Sequence, residues 1–330
     1  MTPQTPRADA ASPIADLSYR AYDGPLISRR FRWWTVALAN VRLALHNRWY
    51  WVMVGGACLP YFFYGLVFYL WTSVSNQTPM GMPAPRPPML LTDAGGKDYA
   101  MLFFQAFRGF ELVWLFGIAL LVGAGAIASD HRANALQVYL SKPITKGDYL
   151  IGKWVGIFVP VTIAALLPAL VVFAFLGAAF SNDGFFQSEP TLIGKILLAG
   201  LLPGIVHASL LVGFSAWSST ARLAGAFYAG FYFLSGIVVR ILWGALYDMR
   251  PDKGVLLQHL SVPGIIQGMA QNIFDVVFER TLFGRRRQNI DITAIPAPDP
   301  WVLLAVLVAL CVIGVLAARV RIRAVEVVRG

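Results

Sequence analysis

Trp154-Val-Gly-Ile-Phe-Val-Pro-Val-Thr-Ile-Ala-Ala-Leu-Leu-Pro-Ala-Leu-Val-Val-Phe-Ala-Phe-Leu-Gly-Ala-Ala-Phe180 contains no charged residue. The run exceeds the roughly 20 apolar residues that carry a helix across a bilayer. It does not alternate polar with apolar, as a barrel strand must. Within hydrocarbon the backbone has to satisfy its own hydrogen bonds, so such a run reads as a spanning helix, with Pro160 and Pro168 as points of bending.

Five further runs read the same way, at 49–71, 110–128, 196–217, 223–246 and 301–318. The whole composition agrees. Of 330 residues, 57% are hydrophobic and 13% charged, against roughly 25% charged in a soluble domain. Mean hydropathy is +0.62. The expected fold class is an all-α integral membrane domain of six transmembrane helices at 49–318. Residues 1–25 read as a disordered cytoplasmic tail, and 319–330 as a short basic cytoplasmic C-terminus. The first apolar run starts too late for a cleavable signal peptide.

The net charge is +10. In a membrane protein the plain reason is that Lys and Arg collect in cytoplasmic loops, so no nucleic-acid partner is expected. An even number of spans puts both termini on one side, taken as the cytoplasm of a cell (inner) membrane. Segment 26–48 is basic and aromatic, with Arg29, Arg30, Arg32, Trp33, Trp34, Arg42, His46 and Arg48. Leu38, Val41 and Leu45 fall on one helical face, which suits a helix lying on the inner leaflet against membrane lipid. The outer segments 73–109 and 247–300 are long, and the first is Pro-rich from Pro79 to Pro88. Arg280, Arg285, Arg286 and Arg287 then fall on the outside, where positive charge should be scarce. Two readings stand: an extracytoplasmic basic patch for an outer protein, or a seventh span within 255–278. That stretch is amphipathic and interrupted by Gln258, His259, Gln267, Gln271, Asn272 and Asp275, so it reads as a helix along the membrane surface.

Motifs for chemistry are missing. There is no G-x-x-x-x-G-K-[ST] loop, no H-E-x-x-H, no C-x-x-C and no G-x-S-x-G. His46, His131, His207 and His259 sit in separate segments, and Cys58 and Cys311 lie inside apolar runs. No catalytic, cofactor or metal residue is assigned. Charge inside a membrane marks function by default. Glu111 and Arg240 share the outer leaflet in this topology, where they either form an intramembrane ion pair or reach the headgroups separately.

The segment joining spans two and three, 129–153, is the most informative. It runs Ser129-Asp-His-Arg-Ala-Asn-Ala-Leu-Gln-Val-Tyr-Leu-Ser-Lys-Pro-Ile-Thr-Lys-Gly-Asp-Tyr-Leu-Ile-Gly-Lys153. A short helix over 132–140 places Leu136, Tyr139 and Leu140 together. Pro143 stops it, and Thr145 caps a second helix leading through Asp148 and Tyr149 into span three. This stretch resembles the corresponding loop of ABC-2 type transporter permeases, which runs roughly Asp-Arg-Arg, Leu-x-x-Tyr-Leu-Ser-Arg-Pro-Leu-Thr-Arg and Asp-Tyr-Leu-x-Gly-Lys. His131, Lys142 and Lys146 depart from that pattern but keep its basic character. The resemblance implies a permease, an exporter, that dimerises with a second permease protomer. It also implies a partner ATP-binding cassette ATPase that holds the ATP and Mg. Asp130, Arg132, Leu136, Tyr139, Leu140, Pro143 and Tyr149 would form the coupling helix contact. A second reading is an ATPase-driven scaffold that works mechanically on an outer partner and moves no cargo.

Overall fold

In the computed structural model, residues 31–77, 98–135, 144–181, 185–247, 253–283 and 290–322 are described. The tail 1–25, the prolines 79–88, the loop positions Leu136, Tyr139, Leu140 and Pro143, and Arg285, Arg286 and Arg287 lie outside them. The order is α1 (Arg32–His46), α2 (Arg48–Asn76), α3 (Asp98–Phe110), a π-helical turn (Glu111–Leu115), α4 (Phe116–Gly123) and α5 (Ala128–Arg132). After these come α6 (Lys146–Ala179), α7 (Phe185–Ser188), α8 (Leu192–Trp217), α9 (Ala221–Tyr247), a 3-10 helix (Lys253–Leu260) and α10 (Val262–Phe274). Strands β1 (Phe278–Phe283) and β2 (Ile290–Ile295) precede α11 (Pro300–Arg321).

Among the described residues, six helical stretches are long and apolar enough to cross a bilayer. They are Arg48–Ser75, Val113–Arg132, Lys146–Ala179, Leu192–Trp217, Ala221–Leu246 and Pro300–Arg321. The membrane-spanning part is therefore helical, with the expected number of spans. Their order in space centres on α8, which packs against α6, α11, α10, α9 and α4. Small residues permit the closest approaches. A Cβ on Gly213 would stand 2.8 Å from the carbonyl oxygen of Gly314 in α11, so the two backbones nearly touch, as small-residue membrane interfaces allow. Side-chain donors add ties between spans. Trp154 Nε1 donates to Ser209 Oγ at 2.9 Å, Trp217 Nε1 to the Ala317 carbonyl at 2.9 Å, and the Tyr50 hydroxyl to the Pro160 carbonyl at 2.8 Å.

Three segments differ from expectation. Helix starts at Asp98, well inside the stretch read as an outer Pro-rich segment, because Met101, Leu102, Phe103, Phe104 and Phe107 form a buried face there. The 255–278 stretch becomes a 3-10 helix and α10. At 13 residues α10 is too short to span. Its apolar face, with Ile265, Ile266, Ala270 and Phe274, is buried on protein rather than laid on a membrane surface. Beyond it, β1 and β2 pair antiparallel, Phe278 opposite Ile295 and Phe283 opposite Ile290, the two strands found among the described residues. Aromatic and β-branched residues favour strands here, Phe278, Thr281 and Phe283 in β1 and Ile290, Ile292, Thr293 and Ile295 in β2. Arg280 sits on β1, opposite Thr293.

Candidate functional site

The site begins at the joint between α4 and α5. Residues 124–127 break the helix as a series of turns. Four backbone groups near a helix end lack partners of their own, and Ser215 of α8 supplies some of them. Its Oγ accepts from the backbone N–H of Ile127 and of Ala128, both at 2.9 Å, and donates to the Ala124 carbonyl at 2.9 Å. Ser215 is fully buried. One hydroxyl thus clamps the break to the central helix.

α5 then presents Asp130 to the start of α6. Asp130 Oδ2 lies 2.7 Å from Lys153 Nζ and accepts from the Tyr149 hydroxyl at 2.7 Å. The Lys153 side chain is only 5% exposed and that of Asp130 16%. Lys153 Nζ also donates to Asn40 Oδ1 of α1 at 3.3 Å, and Asn40 Nδ2 donates to the Val36 carbonyl at 2.7 Å. A buried ammonium is costly unless paired, and removing its partner costs about 3–5 kcal/mol. The node therefore holds α1, α5 and α6 in one arrangement. Its closeness depends on glycine: a Cβ on Gly152 would stand 2.6 Å from Val36 Cβ, and one on Gly156 2.6 Å from Asn40 Cβ. The Gly152-x-x-x-Gly156 face lets α1 lie directly on α6.

Two local signals frame the loop. α6 opens with a capping box, in which Thr145 Oγ1 accepts from the Asp148 N–H and Asp148 Oδ2 accepts from the Thr145 N–H, each at 3.1 Å. α5 ends at Arg132, where a helix was expected to begin. Asn134 follows in the left-handed region at φ 52°, a conformation asparagine tolerates better than most residues.

With this arrangement goes a family match. The family model for ABC-2 family transporter protein matches residues 8–322. The chain belongs to the ABC-2 transporter family. Among curated proteins, no sequence matches it.

In this ABC-2 chain the residues singled out from the sequence fall into distinct places. Arg132 is exposed at the end of α5. Tyr149 is fully buried and turned to Asp130, so these two face each other rather than outward. Glu111 opens the π-helical turn, and its side chain, like that of Arg280, lies outside the described residues. Arg240 is exposed on α9. Asn40, Lys153 and Ser215 were not assigned roles from the sequence. The glycine pair four apart at 152 and 156, with a lysine between, was the available signal for a close contact with a polar partner. His207 is buried in α8 among Phe116, Tyr228 and Tyr232, and its Nδ1 shares a 2.6 Å hydrogen bond with the Tyr228 hydroxyl. Among the described residues, no three His, Cys, Asp or Glu side chains converge as metal ligands would.

Proposed function

We propose that the chain is the permease subunit of an ABC-2 exporter, driven through the 129–153 segment by ATP hydrolysis on a separate ATPase that holds ATP and Mg. The observation that supports this most is the Asp130–Lys153–Tyr149–Asn40 node. Arg132 and the loop positions Leu136, Tyr139, Leu140 and Pro143 form the contact with the ATPase, on the cytoplasmic side of the inner membrane. Asp130 and Tyr149 act one step inward and fix the elbow to the bundle. A push on the loop displaces α5. The Asp130 ion pair passes it to α6 and α1, and the Ser215 clamp passes it to α8. Rigid helices convert a small shift into a tilt of spans, as in rigid-body switching between two packed states. Two protomers assembled side by side give the cargo its path. In the second reading the same stroke works on an outer protein; the helical and hairpin layer between α9 and α11 supports it.

The test is to purify the chain in detergent with whatever it retains and to assay ATP hydrolysis. Hydrolysis should require a separate retained chain and be lost when that chain is stripped away. Hydrolysis by this chain alone would overturn the reading. Asp130→Ala should leave the ATPase bound while lowering the ATP-driven response of the spans at least tenfold.

A further inference from the structure

We propose that α4 is a two-position element that slips by one residue in register between the π-helical turn Glu111–Leu115 and the break at 124–127. Among the described residues, the other five spans run as single α-helices, and α6, which leaves the 129–153 segment, does so for 34 residues. The span that enters the segment is jointed twice. Above lies the π-helical turn, below lie the turns at 124–127, and α4 is the eight-residue piece between them. A π-helical turn closes its hydrogen bonds one residue later than an α-helix, and such turns are frequent at functional sites. Passing the spare residue to the lower break turns α4 by about 100° and moves it about 1.5 Å along its axis.

The packing around α4 favours two discrete positions over a continuum. Trp114 lies in a notch of α2, where a Cβ on Gly56 would overlap its ring. Phe116 stacks on Tyr232 of α9, with centroids 4.4 Å apart and 23° between the planes, and on Tyr228 at 5.7 Å. After the slip Leu115 takes the place of Trp114, and Ala124 that of Gly123. A Cβ at the Gly123 position would stand 2.7 Å from Leu211 Cδ1 of α8, the movable end of a leucine, so the exchange of Ala for Gly is accommodated. The run Gly123-Ala-Gly-Ala126 brings no large side chain to the break that takes up the spare residue. Ser215, bonded to Ala124, Ile127 and Ala128, holds the position seen. The slip rests on the coupling reading only for the force that drives it.

The test uses the full chain in detergent, with Cys58 and Cys311 replaced by Ala, and a short bifunctional thiol reagent. A Cβ on Gly225 of α9 would lie 3.8 Å from Leu120 Cδ2, so Leu120→Cys with Gly225→Cys reports the position seen. Leu121 is exposed on another side of α4 and takes the place of Leu120 after the slip, so Leu121→Cys with Gly225→Cys reports the second position. A minor state is populated at roughly 0.1–10%, so in the resting chain the Leu120 pair should join about tenfold faster or more. Gly56→Ala crowds Trp114 out of its notch and should raise joining of the Leu121 pair about tenfold. Deletion of Val113, an exposed residue of the turn, removes the spare residue. It should keep the Leu120 pair and abolish the rise caused by Gly56→Ala. No rise with Gly56→Ala, a rise that survives the deletion, or loss of the Leu120 pair on deletion alone would each overturn the slip. The readout uses neither nucleotide nor partner, so it fails or succeeds separately from the coupling reading.

Discussion

α8 and α9 follow one another with only residues 218–220 between them, and both qualify as spans, yet they live in different surroundings. Most of the apolar stretch of α8 is buried within the chain, whereas that of α9 is almost wholly exposed. Burial on this scale is not a matter of apolar content, because lipid tails solvate leucine as well as protein does. The difference lies in small and polar groups. α8 carries Gly204 against Thr162, Gly213 against Gly314, and Ser209, Ser215 and His207, each bonded to another element. α9 carries glycines too, but Gly230 and Gly244 have nothing within 4 Å. Its exposed Phe227, Leu234 and Ile241 are left to lipid or to a second protomer.

Matched substitutions break this comparison most strongly at the glycines. Gly213→Leu in α8 should cost about 3 kcal/mol, because its side chain meets the α11 backbone. Gly230→Leu in α9 should be neutral or stabilising by up to about 1 kcal/mol in the monomeric chain, since it adds helix propensity in open space. Thermal unfolding in detergent reads both. Equal losses would mean that α8 is no more constrained than α9.

The serines come next. Ser215→Ala removes the clamp on the α4–α5 break and should cost roughly 1–2 kcal/mol, near the upper end for polar contacts in membranes. Ser235→Ala removes only a bond to Tyr232 within the same helix and should stay within about 0.5 kcal/mol. A further, modest effect joins the two helices. Tyr228→Phe deletes the hydroxyl bonded to His207 and should cost about 0.6 kcal/mol, the average for such bonds in a membrane. A loss above that of Ser215→Ala would make this buried pair, not the clamp, the main polar tie of α8.

What could be read from the sequence was local. Long charge-free runs announce spans without knowledge of neighbours, and Thr145 three residues before Asp148 announces a cap. The break between α5 and the elbow was not legible either: Asn134 takes up a left-handed conformation, a choice that propensity does not dictate, and most of the expected 132–140 helix lies outside the described residues. The node was invisible for a different reason. Asn40 and Lys153 are 113 positions apart, and only the fold brings them together. α3 and α10 were misread alike: each looks like a surface segment until the partner that buries its apolar face is known.

The central claim is that the end of α5 faces the cytosol and meets a separate motor. A photo-cross-linking residue introduced at Arg132, an exposed position outside the ion pair, tests this directly in intact cells. Illumination should join the chain covalently to a soluble ATP-binding polypeptide, and Arg132→Cys should resist a membrane-impermeant thiol reagent until the cells are permeabilised. Labelling of Arg132→Cys from outside intact cells, with no adduct to such a polypeptide, would contradict the account.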